Sequence, residues 1–218
     1  MISEDISILS KICGNTKFGG HIWHNFGHIL NSNQQYLISS HIDTPDFGYD
    51  TDIKFSILCE DHKCCDFDCG IVDLNEFLVK DALPNQSINM SITKIAHINT
   101  KIIGYYSVLT DTLKKQNIQP DDHISEAAYS QYPAIKIGRL AVRKDMQQLG
   151  YGRSILRHAI AYSTLLSEFV GCRFITVDSK NTEQAVKFYI INGFKEAKKG
   201  HKRYFTPMYL DLLKVSRK

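Results

Sequence analysis

The feature that most limits what this 218-residue chain can become is a strand, a glycine-bearing loop and a helix in immediate succession. Residues 134–142, AIKIGRLAV, read as a buried strand with β-branched residues at its heart. Gln147, Gln148, Leu149, Gly150, Tyr151 and Gly152 then form a loop. Beyond it Ile155, Leu156, Ala159 and Ile160 recur at the spacing of one helix face, in a helix that should reach about Phe169. At such a junction successive backbone N–H groups point at one place, and the helix N-terminus adds partial positive charge. Gly150 and Gly152 leave room for a pyrophosphate to come close. Arg153 sits in the first helical turn, where a cation opposes the helix dipole unless a polyanion is bound beside it. The rival reading is a plain tight turn, with Arg153 snorkelling into solvent. Spacing alone does not separate the two.

The flanking segments extend the pattern. Residues 53–59 read as a strand, and Leu74, Phe77, Leu78 and Ala82 as a helix face closed soon afterwards by Pro84. Residues 92–98 and 102–109 are β-rich runs joined by the polar turn Asn99, Thr100, Lys101, which is the signature of an antiparallel hairpin. A long polar connection, 110–133, leads to the strand at 134–142. Residues 174–177 read as a short buried strand. Ala185, Phe188, Tyr189 and Ile191 mark a helix ended by Asn192-Gly193 as a glycine C-cap, and 209–213 read as the last strand. The order strand, helix, hairpin, strand, helix, strand, helix, strand predicts a mixed α/β (α+β) sheet, antiparallel first, with parallel crossovers later.

Length fits one domain with an appendage. The boundary falls at residue 52, giving an N-terminal extension of unassigned role over 1–52 and the main domain over 53–218. A net charge of +3 permits a polyanionic partner without demanding one. No apolar run approaches the length of a membrane span. The start Met1-Ile-Ser-Glu-Asp5 is acidic where a secretory leader would be basic, so the expectation is a cytoplasmic protein with reduced thiols and no membrane partner.

Two blocks then point to a family. Gln147-x-x-Gly150-x-Gly152 directly after Arg139-Leu-Ala-Val142, and Phe188-Tyr189-x-x-x-Gly193-Phe194 preceded by Ala185, stand in the order and separation found in the GNAT superfamily of N-acetyltransferases, which the chain resembles over roughly residues 53–213. The resemblance implies the GNAT fold, a mostly antiparallel mixed sheet flanked by helices, and acetyl-coenzyme A as co-substrate. It implies that Leu140, Ala141 and Val142 hold the pantetheine arm as an added strand would. The amides of Gln147, Gln148, Leu149, Gly150, Tyr151 and Gly152, with Arg153, would hold the pyrophosphate. Asn181, Ala185 and Phe188 would complete the cofactor site. An amine would attack the thioester directly, the Val142 N–H would stabilise the oxyanion, and Tyr189 would protonate the leaving thiolate. For an isolated Tyr189 the plainer role is a helix aromatic packed on the sheet.

A narrower resemblance is to the GNAT toxins of type II toxin–antitoxin systems, which acetylate the α-amino group of aminoacyl-tRNA. It rests on Phe67-Asp-Cys69-Gly70, on Leu74, Phe77, Leu78 and Ala82, on Gly104-Tyr-Tyr-Ser107, and on Gly138-Arg-Leu-Ala-Val142. It implies aminoacyl-tRNA as acceptor and a small DNA-binding antitoxin as partner, and it admits a homodimer. An α-amine titrates near 8, well below a lysine near 10.4, so little help from a base is needed, and no carboxylate in this stretch declares itself as one. The basic run Lys195, Lys198, Lys199, Lys202, Arg203 suits RNA phosphates, or else a solvated loop. The rivals are a GNAT enzyme for a small-molecule or protein amine, and a non-catalytic acetyl-CoA-binding protein of the same fold.

Cys59, Cys64, Cys65 and Cys69 with His62 lack the paired Cys-x2-Cys spacing of structural zinc, so we read free thiols and no metal. His21, His24 and His28 lie at helical spacing, but Gly20 and Gly27 argue against a stable helix there, and the three read as structural or solvent-facing. The acidic stretch 43–52 lacks the regular alternation of a calcium loop.

Overall fold

The computed structural model describes residues 53–124, 129–198 and 204–215. The N-terminal extension, its histidines, Cys13, the acidic stretch 43–52, and Lys199, Lys202 and Arg203 of the basic run all lie outside the described residues.

Strand β1 (Lys54–Ile57) leads through a loop to α1 (Val72–Glu76), a π-helical turn (Phe77–Asp81) and α2 (Ala82–Ser87). The hairpin follows as β2 (Ile92–Ile98) and β3 (Lys101–Lys114). Next come β4 (Gln131–Val142), α3 (Tyr151–Phe169), β5 (Phe174–Lys180), α4 (Glu183–Ile191), β6 (Lys195–Glu196), β7 (Phe205–Asp211) and α5 (Leu212–Val215). They form one seven-stranded sheet in the order β1-β2-β3-β4-β5-β7-β6.

Every pair is antiparallel except β4–β5, so α3 makes the one parallel crossover among the described strands, fewer than expected. Pro84 does not end the helix. It falls in the first turn after the π segment, where a missing N–H costs little, and the helix runs on to Ser87. The 110–133 connection is shorter than expected, because Leu113 and Tyr132 extend β3 and β4 by burying themselves against Phe174 and Tyr209. The last strand lies earlier than expected, ending at Asp211. Leu212 and Leu213 start a helical turn instead, with the Asp211 carboxylate accepting the Leu213 N–H.

Two apolar layers clasp the sheet. On one face Ile155, Leu156, Ala159 and Ile160 of α3 pack on Ile103, Tyr106, Ile135, Ile137 and Ile175, the stripe read from the sequence. Gly104 permits this approach: a Cβ there would stand 2.5 Å from Ile155 Cδ1 and 2.6 Å from the Ala141 carbonyl oxygen. On the other face Phe77, Leu78 and Ala82 pack on Ile95, Tyr105 and Ala141. Two buried polar knots hold the layers in register. His158 of α3 stacks on Phe55 at 3.6 Å and shares a 2.9 Å hydrogen bond with the Tyr106 hydroxyl. Asp122 accepts from Lys195 and Tyr209, each at 2.8 Å, and from Lys214.

Candidate active site

The site begins with an irregularity in β4. Its register against β3 passes from Ser107–Arg139 to Val108–Ile137, leaving Gly138 as an extra residue, and its pairing with β5 stops at Ile137–Val177. From Gly138 to Val142 the strand therefore has a partner on one side only, and β4 and β5 part as a V. Arg143 N–H donates to the Ile103 carbonyl at 2.8 Å. The two-residue alternation of an antiparallel ladder then turns the N–H groups of Leu140 and Val142 away from β3 and into the V.

Past Val142 the chain makes a short turn, Lys144–Met146, and enters the loop. Gln147 is committed to holding the loop in place: its side-chain amide donates to the Cys69 and Val142 carbonyls, each at 2.9 Å. Asn75 accepts the Cys69 N–H at 2.9 Å and Asp68 accepts the Gly70 N–H at 2.7 Å. Lys144 N–H reaches the Asp68 carbonyl at 2.8 Å. The Phe67–Gly70 motif is thus a buttress under the loop, a connection between distant segments that sequence spacing does not reveal.

The loop's amides divide into two sets. Gln147 N–H bonds to the Lys144 carbonyl at 3.4 Å and Arg153 N–H to the Gly150 carbonyl at 2.9 Å. The N–H groups of Gln148, Leu149, Gly150, Tyr151 and Gly152 have no protein acceptor among the described residues. Gly150 caps α3 in the left-handed region, φ +90°, and Gln148 also has positive φ, +63°. Alternating backbone of this kind turns consecutive amides toward a common point, and the α3 N-terminus adds to the positive potential there. A Cβ at Gly150 would meet open space, whereas one at Gly152 would stand 3.5 Å from Val142 Cγ2 and 3.8 Å from the Phe188 ring, ordinary contact distances. The need for glycine at 150 is therefore conformational, and position 152 has room for alanine. Arg153 is exposed, and its guanidinium has no partner among the described residues.

Helix α4 closes the V. Thr182, which the sequence reading passed over, is its N-cap and accepts the Ala185 N–H at 3.3 Å. The Thr-Glu-Gln-Ala order was the available signal. Asn181 is exposed and joined to β7, its side chain accepting from the Thr206 hydroxyl at 3.0 Å. Phe188 packs beside Gly152. Tyr189, half-buried, packs edge-on against Phe188 at 5.2 Å and Phe194 at 5.4 Å. Gly193 ends the helix at φ +92°, as its C-cap position requires. Among the described residues nothing hydrogen-bonds the Tyr189 hydroxyl, and burial pushes its acidity down to a pKa of about 12. The phenol therefore keeps its proton throughout the neutral range.

The structure thus brings Leu140, Val142, Gly150, Tyr151, Gly152 and Phe188 together around one V-shaped opening. Ala141 instead faces the opposite layer, against Phe77 and Leu78. Among the described residues no group of three His, Cys, Asp or Glu side chains is placed to hold a metal ion, and no helix is long and apolar enough to cross a membrane.

Comparison with known proteins agrees with this architecture. Residues 91–196 match the family model described as an acetyltransferase (GNAT) domain. A tRNA-acetylating toxin of Mycobacterium tuberculosis is 26% identical over 129 residues, 59% of this chain and 76% of that protein. The solved structure of AtaT complexed with acetyl-methionyl-tRNAfMet superposes with a TM-score of 0.69 at 23% identity, over 76% of this chain and 98% of that one. A tyrosine-to-phenylalanine mutant of the AtaT toxin, bound to the C-terminus of the antitoxin AtaR and acetyl-CoA, gives 0.61 at 23% identity, over 76% and 97%. Over residues 91–196 the chain is similar to the acetyltransferase domains of the GNAT family, and structures of that fold have been solved with acetyl-CoA bound.

Proposed function

We propose that the chain transfers the acetyl group of acetyl-CoA to the α-amino group of an aminoacyl-tRNA, acting as the toxin of a toxin–antitoxin pair. The observation that carries the acetyl-donor half is the run of five unpartnered amides, Gln148 to Gly152, at the mouth of the β4–β5 opening with Tyr189 beside it. The acceptor half is supported by the tRNA named for both the mycobacterial relative and the AtaT structure.

In this reading the pyrophosphate lies on the five amides, with Arg153 alongside. The pantetheine arm runs along the open edge of β4 and bonds to the N–H of Leu140. The Val142 carbonyl already accepts from Gln147. The Val142 N–H faces the thioester oxygen and stabilises negative charge as the amine attacks. Asn181, Ala185 and Phe188 line the α4 side.

Tyr189 then hydrogen-bonds the departing sulfur. A phenol held to about 12 binds its proton more tightly than a thiol near 8.5, so donation to sulfur is completed by the proton that the newly acetylated amine releases. The antitoxin named with AtaT supports a small DNA-binding antitoxin as partner, and a homodimer belongs to the same reading.

The test is expression from a tightly controlled promoter, with acetylated aminoacyl-tRNA measured directly. The native chain should arrest growth and produce N-acetyl-aminoacyl-tRNA, and Tyr189→Phe should lower transfer by about 10²–10⁴ while still binding acetyl-CoA. Acetyl transfer to a small amine or protein lysine with untouched tRNA would replace the acceptor. Acetyl-CoA binding with no transfer to any amine would make the chain a binding protein.

A further inference from the structure

Between β1 and α1 lies a segment that the acetyl-transfer site does not use, and it holds Cys59, Cys64 and Cys65. The chain folds back there through consecutive turns: His62 N–H to the Cys59 carbonyl at 3.2 Å, Cys64 N–H to the His62 carbonyl at 2.9 Å, and Phe67 N–H to the Cys64 carbonyl at 3.1 Å. The His62 imidazole lies against the first cysteine, its Nδ1 standing 3.0 Å from the Cys59 backbone nitrogen and 3.0 Å from Cys59 Sγ. A backbone N–H can only donate, so Nδ1 carries a lone pair. The bonding pattern then assigns the ring proton to Nε2, which lies 2.9 Å from the Ser56 hydroxyl oxygen. Nδ1 is therefore an acceptor for the Cys59 thiol proton.

Cys59 is exposed and Cys64 half-buried. The Cys64 thiol is held above its usual pKa by burial first, then by the neighbouring Cys65 and Cys59.

We propose that Cys59 and Cys64 form a redox-active dithiol that exchanges with low-molecular-weight disulfides, Cys59 attacking and Cys64 resolving. In the first step His62 Nδ1 takes the Cys59 proton, and the thiolate attacks one sulfur of the external disulfide. A protein–small-molecule S–S bond forms, and one small thiol leaves with a proton. In the second step the Cys64 thiolate attacks Cys59 Sγ, forms the Cys59–Cys64 bond and expels the second small thiol. Two protein thiols are oxidised, one external disulfide is reduced to two thiols, and protons balance.

The experiment treats the reduced full-length chain with oxidised glutathione, traps remaining thiols with iodoacetamide, and reads intact mass and peptide linkage. The expected product carries two carbamidomethyl groups fewer than the reduced chain trapped in the same way, joins Cys59 to Cys64, and reverts with reductant. Cys64→Ser should stop at a stable glutathione adduct on Cys59. His62→Gln, which removes the acceptor 3.0 Å from Cys59 Sγ, should slow alkylation of Cys59 at neutral pH. A lasting glutathione adduct on the native chain, a linkage through Cys65, or Cys59 reacting no faster than half-buried Cys172 would overturn the proposal.

Discussion

The side-chain amide of Gln147 donates to the main-chain carbonyl of Val142 at 2.9 Å, fastening the anion loop to the end of the strand that carries the open N–H groups. A second bond from the same amide reaches the Cys69 carbonyl at 2.9 Å, so a segment 78 residues away in sequence is tied to the loop and the strand end at one side chain. Replacing it releases both bonds at once. Gln147→Ala should raise KM for acetyl-CoA by roughly thirtyfold, from about 1 kcal/mol per lost hydrogen bond, while kcat falls much less. Steady-state kinetics at varied acetyl-CoA separates the two, and a fall in kcat alone would count against the brace.

Gly150 and Gly152 should part company on mutation. Alanine at 150 is forced into left-handed backbone at about 1–2 kcal/mol and brings a methyl group to the anion site. Alanine at 152 finds ordinary contacts with Val142 and Phe188. Isothermal titration with acetyl-CoA should show a clear loss of affinity for Gly150→Ala and near-native binding for Gly152→Ala. Equal losses would mean that steric room at 152, not backbone conformation at 150, governs the loop.

Two groups set the response to acid. Burial, helped by Lys94, holds His158 neutral with a pKa near 3. Because the unfolded pKa is near 6.5, protonation favours the unfolded chain, and His158 costs stability progressively as pH falls from about 6.5 toward 3. Burial alone would raise Asp122, but the hydrogen bonds from Lys195, Lys214 and Tyr209 outweigh it and hold the carboxyl near 2. Its contribution is present above about 4 and disappears as pH drops toward 2. Urea unfolding across this range should show a decline starting near pH 6. His158→Gln should flatten the part between about 6.5 and 4, and Asp122→Asn should flatten the part below 4. An unchanged profile in either variant would contradict that assignment.

Much of this arrangement was legible in the sequence because it depends on local pattern. The apolar stripe of α3, the Asn99–Lys101 hairpin turn, the Gly193 cap and the strand–loop–helix order follow from periodicity and from residues with restricted backbone choices. What escaped depends on partners far apart in the chain. Leu113 and Tyr132 look like loop residues until Phe174 and Tyr209 are packed against them. Gln147 reads as a cofactor ligand until the Cys69 carbonyl is found beside it. Gly138 gave a signal that could have been used, since a glycine inside an otherwise β-branched strand marks a bulge. That bulge is where β4 leaves β5.

The most direct test of the account is a crystal structure of the full chain with acetyl-CoA bound. The pyrophosphate should lie on the amides of Gln148 to Gly152, the pantetheine arm along Leu140 and Val142, the thioester oxygen at the Val142 N–H, and the sulfur within hydrogen-bonding reach of the Tyr189 hydroxyl. A cofactor seated elsewhere, or a sulfur turned away from Tyr189 with another donor in its place, would contradict it.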